Sequence, residues 1–190
     1  MILSLTNDTK KFSNYKKVIT IDDIFSLKND SGVKTIKNKP RNKGHVKKTY
    51  KYCEKIYLSL LSSVSKELNQ LHKLNNNTRY WEIIVGDWLR DFILVCHKNY
   101  FNCKRVLKYK KFKKYLSVKG DKYKIHTRNT IESIYATTDS EWNFALNSKI
   151  FSFLNTNIQP VYLKTEKNIF RLQYNVNNDS KLKMLSSLKF

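Results

Sequence analysis

Two residues with functional side chains flank a short polar turn in this chain, His72 on one side and Arg79 on the other. An Arg beside the free N–H groups at a helix start can bind a phosphate or another anion, and it can equally pair with a nearby carboxylate. His72 can act as a general base on an acceptor hydroxyl or interact favourably with the end of the preceding helix. Both interpretations of each residue stay open, and the turn is a candidate site for an anionic substrate.

Two indole rings follow the turn seven residues apart, Trp81 and Trp88. This spacing places them on one helix face, where most such rings belong to the core, although an indole also stacks on a sugar ring. Gly86 lies between them and costs about 1 kcal/mol of helix stability relative to Ala, which predicts that another backbone or a ligand comes close. Together with Tyr80, these residues are the predicted substrate-binding group.

A further candidate group lies at Thr138-Asp139-Ser140-Glu141, which fits a capping box at the start of a helix. Glu141 in the first turn is a candidate catalytic residue, and Asn143 is a candidate substrate ligand. Glu141 can instead serve only as the capping partner of Thr138, and Asp139 is an equally good cap.

Motifs for a phosphate-binding loop, a serine hydrolase or a zinc protease are absent from the sequence. The three cysteines, at 53, 96 and 103, have neither a C-x-x-C pair nor a usual zinc spacing. We therefore predict reduced thiols, no bound metal and no cofactor.

Two long helices are predicted to position the turn. Apolar residues recur every three or four positions over 46–73, and 78–101 is apolar on most faces. The segment 31–48 contains Gly and Pro and no acidic residue, which predicts a mobile basic loop. A third helix is expected to run to about Leu154. Short strands are predicted at 17–21, 161–163 and 170–176.

Length and composition indicate one folded lobe, residues 1–176, followed by a polar tail, 177–190. The chain has 190 residues, of which 41% are hydrophobic and only 4 are Gly and 2 Pro. This composition excludes a disordered chain and a collagen-like chain. No apolar run is long enough to span a membrane and no signal peptide is present, so we expect a cytoplasmic protein.

The net charge is +22, from 37 Lys and Arg against 15 Asp and Glu. The segment 104–128 concentrates this charge among aromatic residues, which favours non-specific binding of nucleic acid or of an anionic membrane surface. Only six of the basic residues are Arg, the residue preferred for reading bases, and an AT-rich coding sequence can also produce such a Lys excess. A basic nucleic-acid-binding module is the alternative function.

The residues around the turn resemble a signature of a known family. Leu68 to Asn75 and Arg79 to Leu89 read L-N-Q-L-H-K-L-N and R-Y-W-E-I-I-V-G-D-W-L. They are similar to the pattern L-N-x-x-H, a short polar turn, then R-Y-W-x-I-x-x-G-P-W-L, of a transferase family encoded in bacterial surface-polysaccharide and O-antigen clusters. Thr138 to Asn143 resembles the S-S-D-E-W-N segment of the same family. Asp87 stands where the family has Pro.

The resemblance covers about residues 46–165 and implies an α/β fold, a partial Rossmann-like lobe of the glycosyltransferase type with a long antiparallel helix pair. It implies transfer of a sugar during surface-polysaccharide synthesis, with a nucleotide sugar as donor substrate. Family members are longer, so this chain resembles an amino-terminal portion that needs a carboxy-terminal half or a downstream polypeptide for activity. A truncated, non-catalytic fragment is a further alternative. The cytoplasmic location then extends to a peripheral position at the inner face of the membrane.

Overall fold

A computed structural model describes residues 1–6, 11–21, 33–36, 42–109, 112–119, 125, 127, 130–154 and 157–163. Short apolar, β-branched or aromatic segments form five strands. They are β1 (Ile2–Ser4), β2 (Val18–Ile21), β3 (Val33–Ile36), β4 (Lys114–Ser117) and β5 (Gln159–Tyr162). The strands make one sheet in the order β3-β2-β1-β4-β5, and every pair is parallel. All carboxyl ends therefore meet at one edge of the sheet, which we call the carboxyl edge.

The helices contain far more residues than the strands. They are α1 (Lys43–His72), α2 (Thr78–Leu107), α3 (Thr130–Thr138) and α4 (Ser140–Phe153). Asn42, Asn77 and Asp139 cap α1, α2 and α4, each accepting a hydrogen bond from a backbone N–H three residues on. Lys73 ends α1 in a left-handed conformation, φ 54°.

The two 30-residue helices, α1 and α2, pack on each other and form what we call the helix pair. Because α2 leads into β4, its last turns lie against the sheet and its earlier part extends past the carboxyl edge. At 1.5 Å per residue, Arg79 lies about 30 Å along the helix axis from Asn99. The turn between α1 and α2 is thus the outer end of the part of the molecule that the structure describes. We call this turn, with the adjoining helix ends, the tip.

The main core lies between the sheet, α4 and the end of α2. It holds the sheet residues Leu3, Ile19 and Leu116 together with Val106 of α2 and Phe144 of α4. The helix pair has a smaller core of its own: Cys53, Tyr57, Leu61, Leu89 and Ile93. We call the sheet, α3, α4 and the end of α2 from Asn99 the sheet half.

The predicted fold was wrong. We expected a partial Rossmann-like lobe in which both long helices flank a small sheet and form its main core. The structure instead has a five-stranded, all-parallel sheet in a mostly helical chain. The long helices end within a few residues of their predicted limits except that α2 continues to Leu107. However, α1 packs on α2, and the sheet is covered by α4 together with the end of α2. The buried apolar residues of α1 therefore belong to the core of the helix pair and not to the main core beside the sheet.

Other differences concern single elements. β3 lies within 31–48, which was predicted to be a loop, and β1, β4 and α3 were not predicted. β1 has only three residues, and lysines interrupt the short apolar patterns of β3 and β4, whereas the predicted strand at 17–21 contains the continuous β-branched run of β2. The helix α4 is capped by Asp139, since the Thr138 hydroxyl instead donates to the Tyr135 carbonyl at the end of α3. The strand predicted at 170–176 and the tail 177–190 lie outside the described residues.

Candidate functional site

The carboxyl edge next to β1 is the place where the sheet can form a binding crevice. The chain passes from β1 to β2 and β3 on one side, and places β4 and β5 on the other. In an open parallel sheet, ligands bind outside the carboxyl ends of the strands at the point where the order reverses. Here that point lies between the ends of β1 and β4, at Leu5 and Thr6 and at Val118 and Lys119.

The end of β1 is held in a fixed conformation. The buried Ser4 hydroxyl donates to the Thr6 carbonyl at 2.8 Å and accepts from the Thr6 N–H at 3.4 Å. The Asn147 side chain donates to the Leu5 carbonyl at 3.1 Å, which joins this turn to α4. The edge is thus anchored both by its own turn and by a neighbouring helix.

The start of α4 brings charge to the same edge. Because α4 leads into β5, its amino-terminal end lies toward the carboxyl edge. There Glu141 forms an ion pair with Lys11, which precedes β2 and lies over the ring of Phe144. The side chain of Lys11 is 17% exposed and that of Glu141 36%, so both members of the pair are partly shielded from water. Sequence reasoning missed Lys11, since nothing in the spacing relates it to a residue so far along the chain.

Asn143 lies behind this pair and is buried. Its side-chain nitrogen donates to the carbonyls of Thr137 and Asp139, both at 2.8 Å, and its oxygen accepts from the Asn99 side chain at 3.1 Å. These contacts join α3, α4 and α2. The structure thus gives the Asn143 side chain protein partners on both polar atoms.

At the tip, the predicted residues contact one another. Arg79 donates to Glu82 at 2.7 Å, and Trp81 is buried with its indole N–H donating to Asn69 at 2.9 Å. The exposed His72 ring stacks on Trp81 with centroids 5.8 Å apart, and Tyr80 meets Trp81 edge-on at 5.1 Å. These contacts fix the conformation of the turn between α1 and α2.

Below the tip, Gly86 faces Tyr57 of α1. A Cβ atom at Gly86 would lie 2.9 Å from the Tyr57 hydroxyl oxygen. The Tyr57 hydroxyl can therefore come this close to α2 because residue 86 is a glycine. The hydroxyl donates to Glu82 at 3.3 Å, and the Arg90 guanidinium lies 4.0 Å above the Tyr57 ring. The hydrogen bond from Arg79 lowers the pKa of Glu82, and burial raises the pKa of Tyr57.

Trp88 occupies a third location. Its ring stacks on Phe92 with centroids 5.5 Å apart and lines a cleft of about 240 Å³ between α2 and α3. The predicted residues therefore fall in four places: the tip with His72, the contact between α1 and α2 with Gly86, the cleft with Trp88, and the carboxyl edge with Glu141. About 30 Å of α2 separates the tip from Asn99, which bonds to Asn143 near the carboxyl edge.

Metal and thiol chemistry find no support in the residues that the structure describes. In these ranges, no three His, Cys, Asp or Glu side chains come together in a way that could hold a metal ion. Burial raises the pKa of Cys96 to about 11, so its thiol stays protonated near neutral pH. Within the same part of the chain, no helix combines the length and the hydrophobicity needed to span a bilayer.

Comparison with known proteins gives one match. The sequence model described as LIC12162 family transferase matches residues 1–189. No curated protein and no solved structure matches the chain.

Proposed function

Since the chain belongs to the LIC12162 family of transferases, we propose that it takes part in glycosyl transfer during the synthesis of a bacterial surface polysaccharide. The matched family supports transfer chemistry in general. The sugar, and the polysaccharide context, rest on the resemblance of Arg79 to Leu89 and of Thr138 to Asn143 to the signature described above.

The observation that carries the proposal is the Lys11–Glu141 pair beside the end of β1. Transfer from a nucleotide sugar forms a bond between an acceptor oxygen and the anomeric carbon. The bond from that carbon to the phosphate oxygen breaks, and the acceptor loses a proton. In this proposal Glu141 accepts the proton, and the Lys11 ammonium offsets negative charge on the departing phosphate.

The proposal assigns the chain one side of a two-part site. The family resemblance implies longer proteins, and we propose that a carboxy-terminal half supplies the contacts to the nucleotide-sugar donor. The partial exposure of the Lys11–Glu141 pair supports a second part that closes over it and excludes water. No metal and no resident cofactor enters this scheme.

The test compares two carboxylates in the protein combined with its carboxy-terminal half. Glu141→Gln should lower the rate of nucleoside diphosphate release from a panel of nucleotide sugars by about 10²–10⁴-fold, the usual contribution of a general base. Glu67→Gln, which alters an exposed carboxylate on α1, is the matched control and should leave the rate unchanged.

Thermal unfolding of each variant is measured in parallel. Glu141 is partly exposed, and its ion pair contributes little to stability, so Glu141→Gln should remain folded. Full transfer activity in folded Glu141→Gln would contradict the proposed role of this residue.

A second candidate function, non-specific binding of nucleic acid, is favoured by a different surface. Lys16, Lys17, Lys113 and Lys114 line an open cleft of about 710 Å³ at the amino ends of β1 and β4, opposite the carboxyl edge. Binding by these lysines would fall steeply with salt and would not depend on sequence. Titration of random and defined duplexes at two salt concentrations, with Lys113→Gln/Lys114→Gln as the variant, separates this function from glycosyl transfer.

A further inference from the structure

The cleft between α2 and α3 combines an aromatic ring with several hydrogen-bonding groups. From α2 it is lined by Trp88, Asp91 and Val95; from α3 it is lined by Thr130, Ser133 and Thr137. The Trp88 ring is fixed in place by its stacking on Phe92, with an angle of 11° between the two rings. A rigid indole beside hydroxyls and a carboxylate matches a ligand with both an apolar face and polar edges.

Asp91 differs from the other acidic residues of α2. Glu82 pairs with Arg79 at 2.7 Å, and Asp87 lies 3.6 Å from Arg90. Among the described residues no ion pair is formed by Asp91, which lies at the cleft. Its carboxylate is thus available to accept hydrogen bonds from a neutral ligand, and a carboxylate can accept from two adjacent hydroxyls at once.

The cleft volume limits the ligand. At about 240 Å³ it lies below the range of about 300–1,000 Å³ that is typical of pockets for drug-sized molecules. It is therefore too small for a nucleotide sugar and suits a single small ring. The negative charge of Asp91 also disfavours a phosphorylated ligand.

We propose that this cleft is a binding subsite for one neutral pyranose ring, which stacks on Trp88 and donates hydroxyl hydrogen bonds to Asp91. Ser133 and Thr137 provide further hydrogen bonds from α3. The Thr137 hydroxyl already donates to the Ile134 carbonyl at 2.7 Å, so toward a ligand it acts as an acceptor. The choice of a sugar rests on the proposed function, and the subsite deepens it by assigning where a saccharide acceptor is held.

The cleft is connected to the carboxyl edge by protein contacts. Thr137 lines the cleft, and its carbonyl accepts from Asn143, which lies two residues after Glu141. An acceptor saccharide with one ring at Trp88 could therefore extend along the start of α4 toward the Lys11–Glu141 pair. The tip with His72 and Arg79 lies away from this path.

Intrinsic fluorescence gives a direct test. The chain has three Trp; Trp81 and Trp142 are 4% and 2% exposed, whereas Trp88 is half-buried and lines the cleft. Methyl glucoside, methyl galactoside and methyl mannoside are titrated into the chain, with cyclohexanol as a ring that lacks adjacent hydroxyls. We expect a saturable change with at least one pyranoside, in the millimolar range typical of a dozen heavy atoms, and no comparable change with cyclohexanol.

Two aspartate variants on the same helix provide the matched comparison. Asp91→Asn should weaken pyranoside binding about tenfold, because it replaces charge-assisted hydrogen bonds by neutral ones. Asp87→Asn should leave binding unchanged, since the Asp87 side chain is 99% exposed and outside the cleft. Trp88→Phe should abolish the fluorescence signal.

The outcomes separate the subsite from the proposed function. No saturable binding of any pyranoside, equal binding of cyclohexanol, or equal affinity in Asp91→Asn would overturn the subsite, even in a protein that transfers sugar. Pyranoside binding that depends on Asp91 supports the subsite, even if Glu141→Gln proves to have full transfer activity and the proposed role of Glu141 fails.

Discussion

The helix pair and the sheet half differ in how far apart in the sequence their contacting residues lie. In the helix pair, Arg79 pairs with Glu82 three residues on, and the Asn69 side chain bonds to the backbone of Asn76 seven residues on. In the sheet half, Asn147 bonds to the Leu5 carbonyl across 142 positions. Contacts across the helix pair reach further, such as the hydrogen bond from Tyr57 to Glu82 across 25 positions, but they join two consecutive helices, whereas the sheet half joins segments from both ends of the described chain.

The two regions also hold their polar groups differently. The helix pair carries a network of partly exposed ion pairs around Arg90, which lies within 4 Å of Glu54, Glu82 and Asp87. The sheet half has the Lys11–Glu141 ion pair at its carboxyl edge, but it also buries neutral amides, such as Asn99, between its helices. Exposed ion pairs contribute little to stability and depend on pH, whereas buried amides are costly to remove. The candidate active site belongs to the region with the buried amides.

The largest expected effect is on the sheet half. Phe151 is fully buried in the main core and contacts Tyr115 with ring centroids 4.7 Å apart. Phe151→Ala should lower the free energy of unfolding by about 3–5 kcal/mol in a denaturant titration. Since the end of α2 belongs to the same core, the helix pair should lose its anchor and unfold in the same transition.

The counterpart lies in the helix pair. Leu61→Ala removes a buried side chain from the smaller core and should cost about 2 kcal/mol, the low end for such a change. Hydrogen exchange should become faster for α1 amides while β1 amides keep their protection. Equal acceleration of hydrogen exchange in α1 and in β1 would show that the helix pair does not open separately from the sheet half.

A smaller effect is expected at Gly86. In an ordinary helix interior Gly→Ala stabilises by about 1 kcal/mol, but here the new Cβ would lie 2.9 Å from the Tyr57 hydroxyl oxygen. The Tyr57 ring is buried beneath Arg90 and cannot move away without disturbing the core. Gly86→Ala should therefore lower stability by about 1–2 kcal/mol.

The matched background for this prediction is Tyr57→Phe, which removes the hydroxyl. There, Gly86→Ala should become stabilising by up to about 1 kcal/mol, because the closest contact is gone and the remaining one, 3.3 Å from the Glu82 side chain, can relax by a small rotation of that side chain. A double-mutant cycle of unfolding free energies measures both signs. The same sign in both backgrounds would mean that the Tyr57 hydroxyl is not what keeps this position a glycine.

The same difference explains what could be predicted from the sequence. The periodicity over 46–73 predicts α1 to within three residues at its start, since a long helix repeats its pattern many times. β1 has three residues, and β4 lies in a basic segment where Lys113 and Lys114 obscure the apolar pattern. Their assignment as strands depends on parallel partners far along the chain. A short stretch of sequence does not show which distant segment it will pair with.

The candidate site shows the same limit. Glu141 could be proposed from a helix-capping pattern, but its partner Lys11 is one of many lysines in the sequence and has no distinctive neighbours. Trp88 could be proposed as a stacking residue. The cleft that Trp88 lines could not be proposed, because its opposite wall is α3. This nine-residue helix has too few turns to show a helical pattern of apolar residues. Local patterns therefore predict single residues, and the tertiary fold decides which of them meet.

The smallest expected effect is the pH dependence of the helix pair. The hydrogen bond from Arg79 is the main cause that lowers the pKa of Glu82, and the Tyr57 hydroxyl and Arg90 act in the same direction. A carboxyl with a lower pKa in the folded state stabilises the fold above its unfolded pKa of about 4.3. This contribution is lost as the pH falls from that value through the folded pKa, so acid should loosen the helix pair before the sheet half.

Glu82→Gln removes this titration and Arg79→Ala removes its main cause, so both variants should reduce the acid-induced rise in amide exchange of α1 and α2. Glu67→Gln is the control, because Glu67 is exposed on α1 and should leave the pH profile unchanged. None of these substitutions lies in the sheet half, so its exchange should show the same pH profile in every variant. An unchanged acid response in Glu82→Gln would locate the pH dependence elsewhere. Arg79 would then have no structural role through Glu82, and the hypothesis that Arg79 binds an anion would be favoured instead.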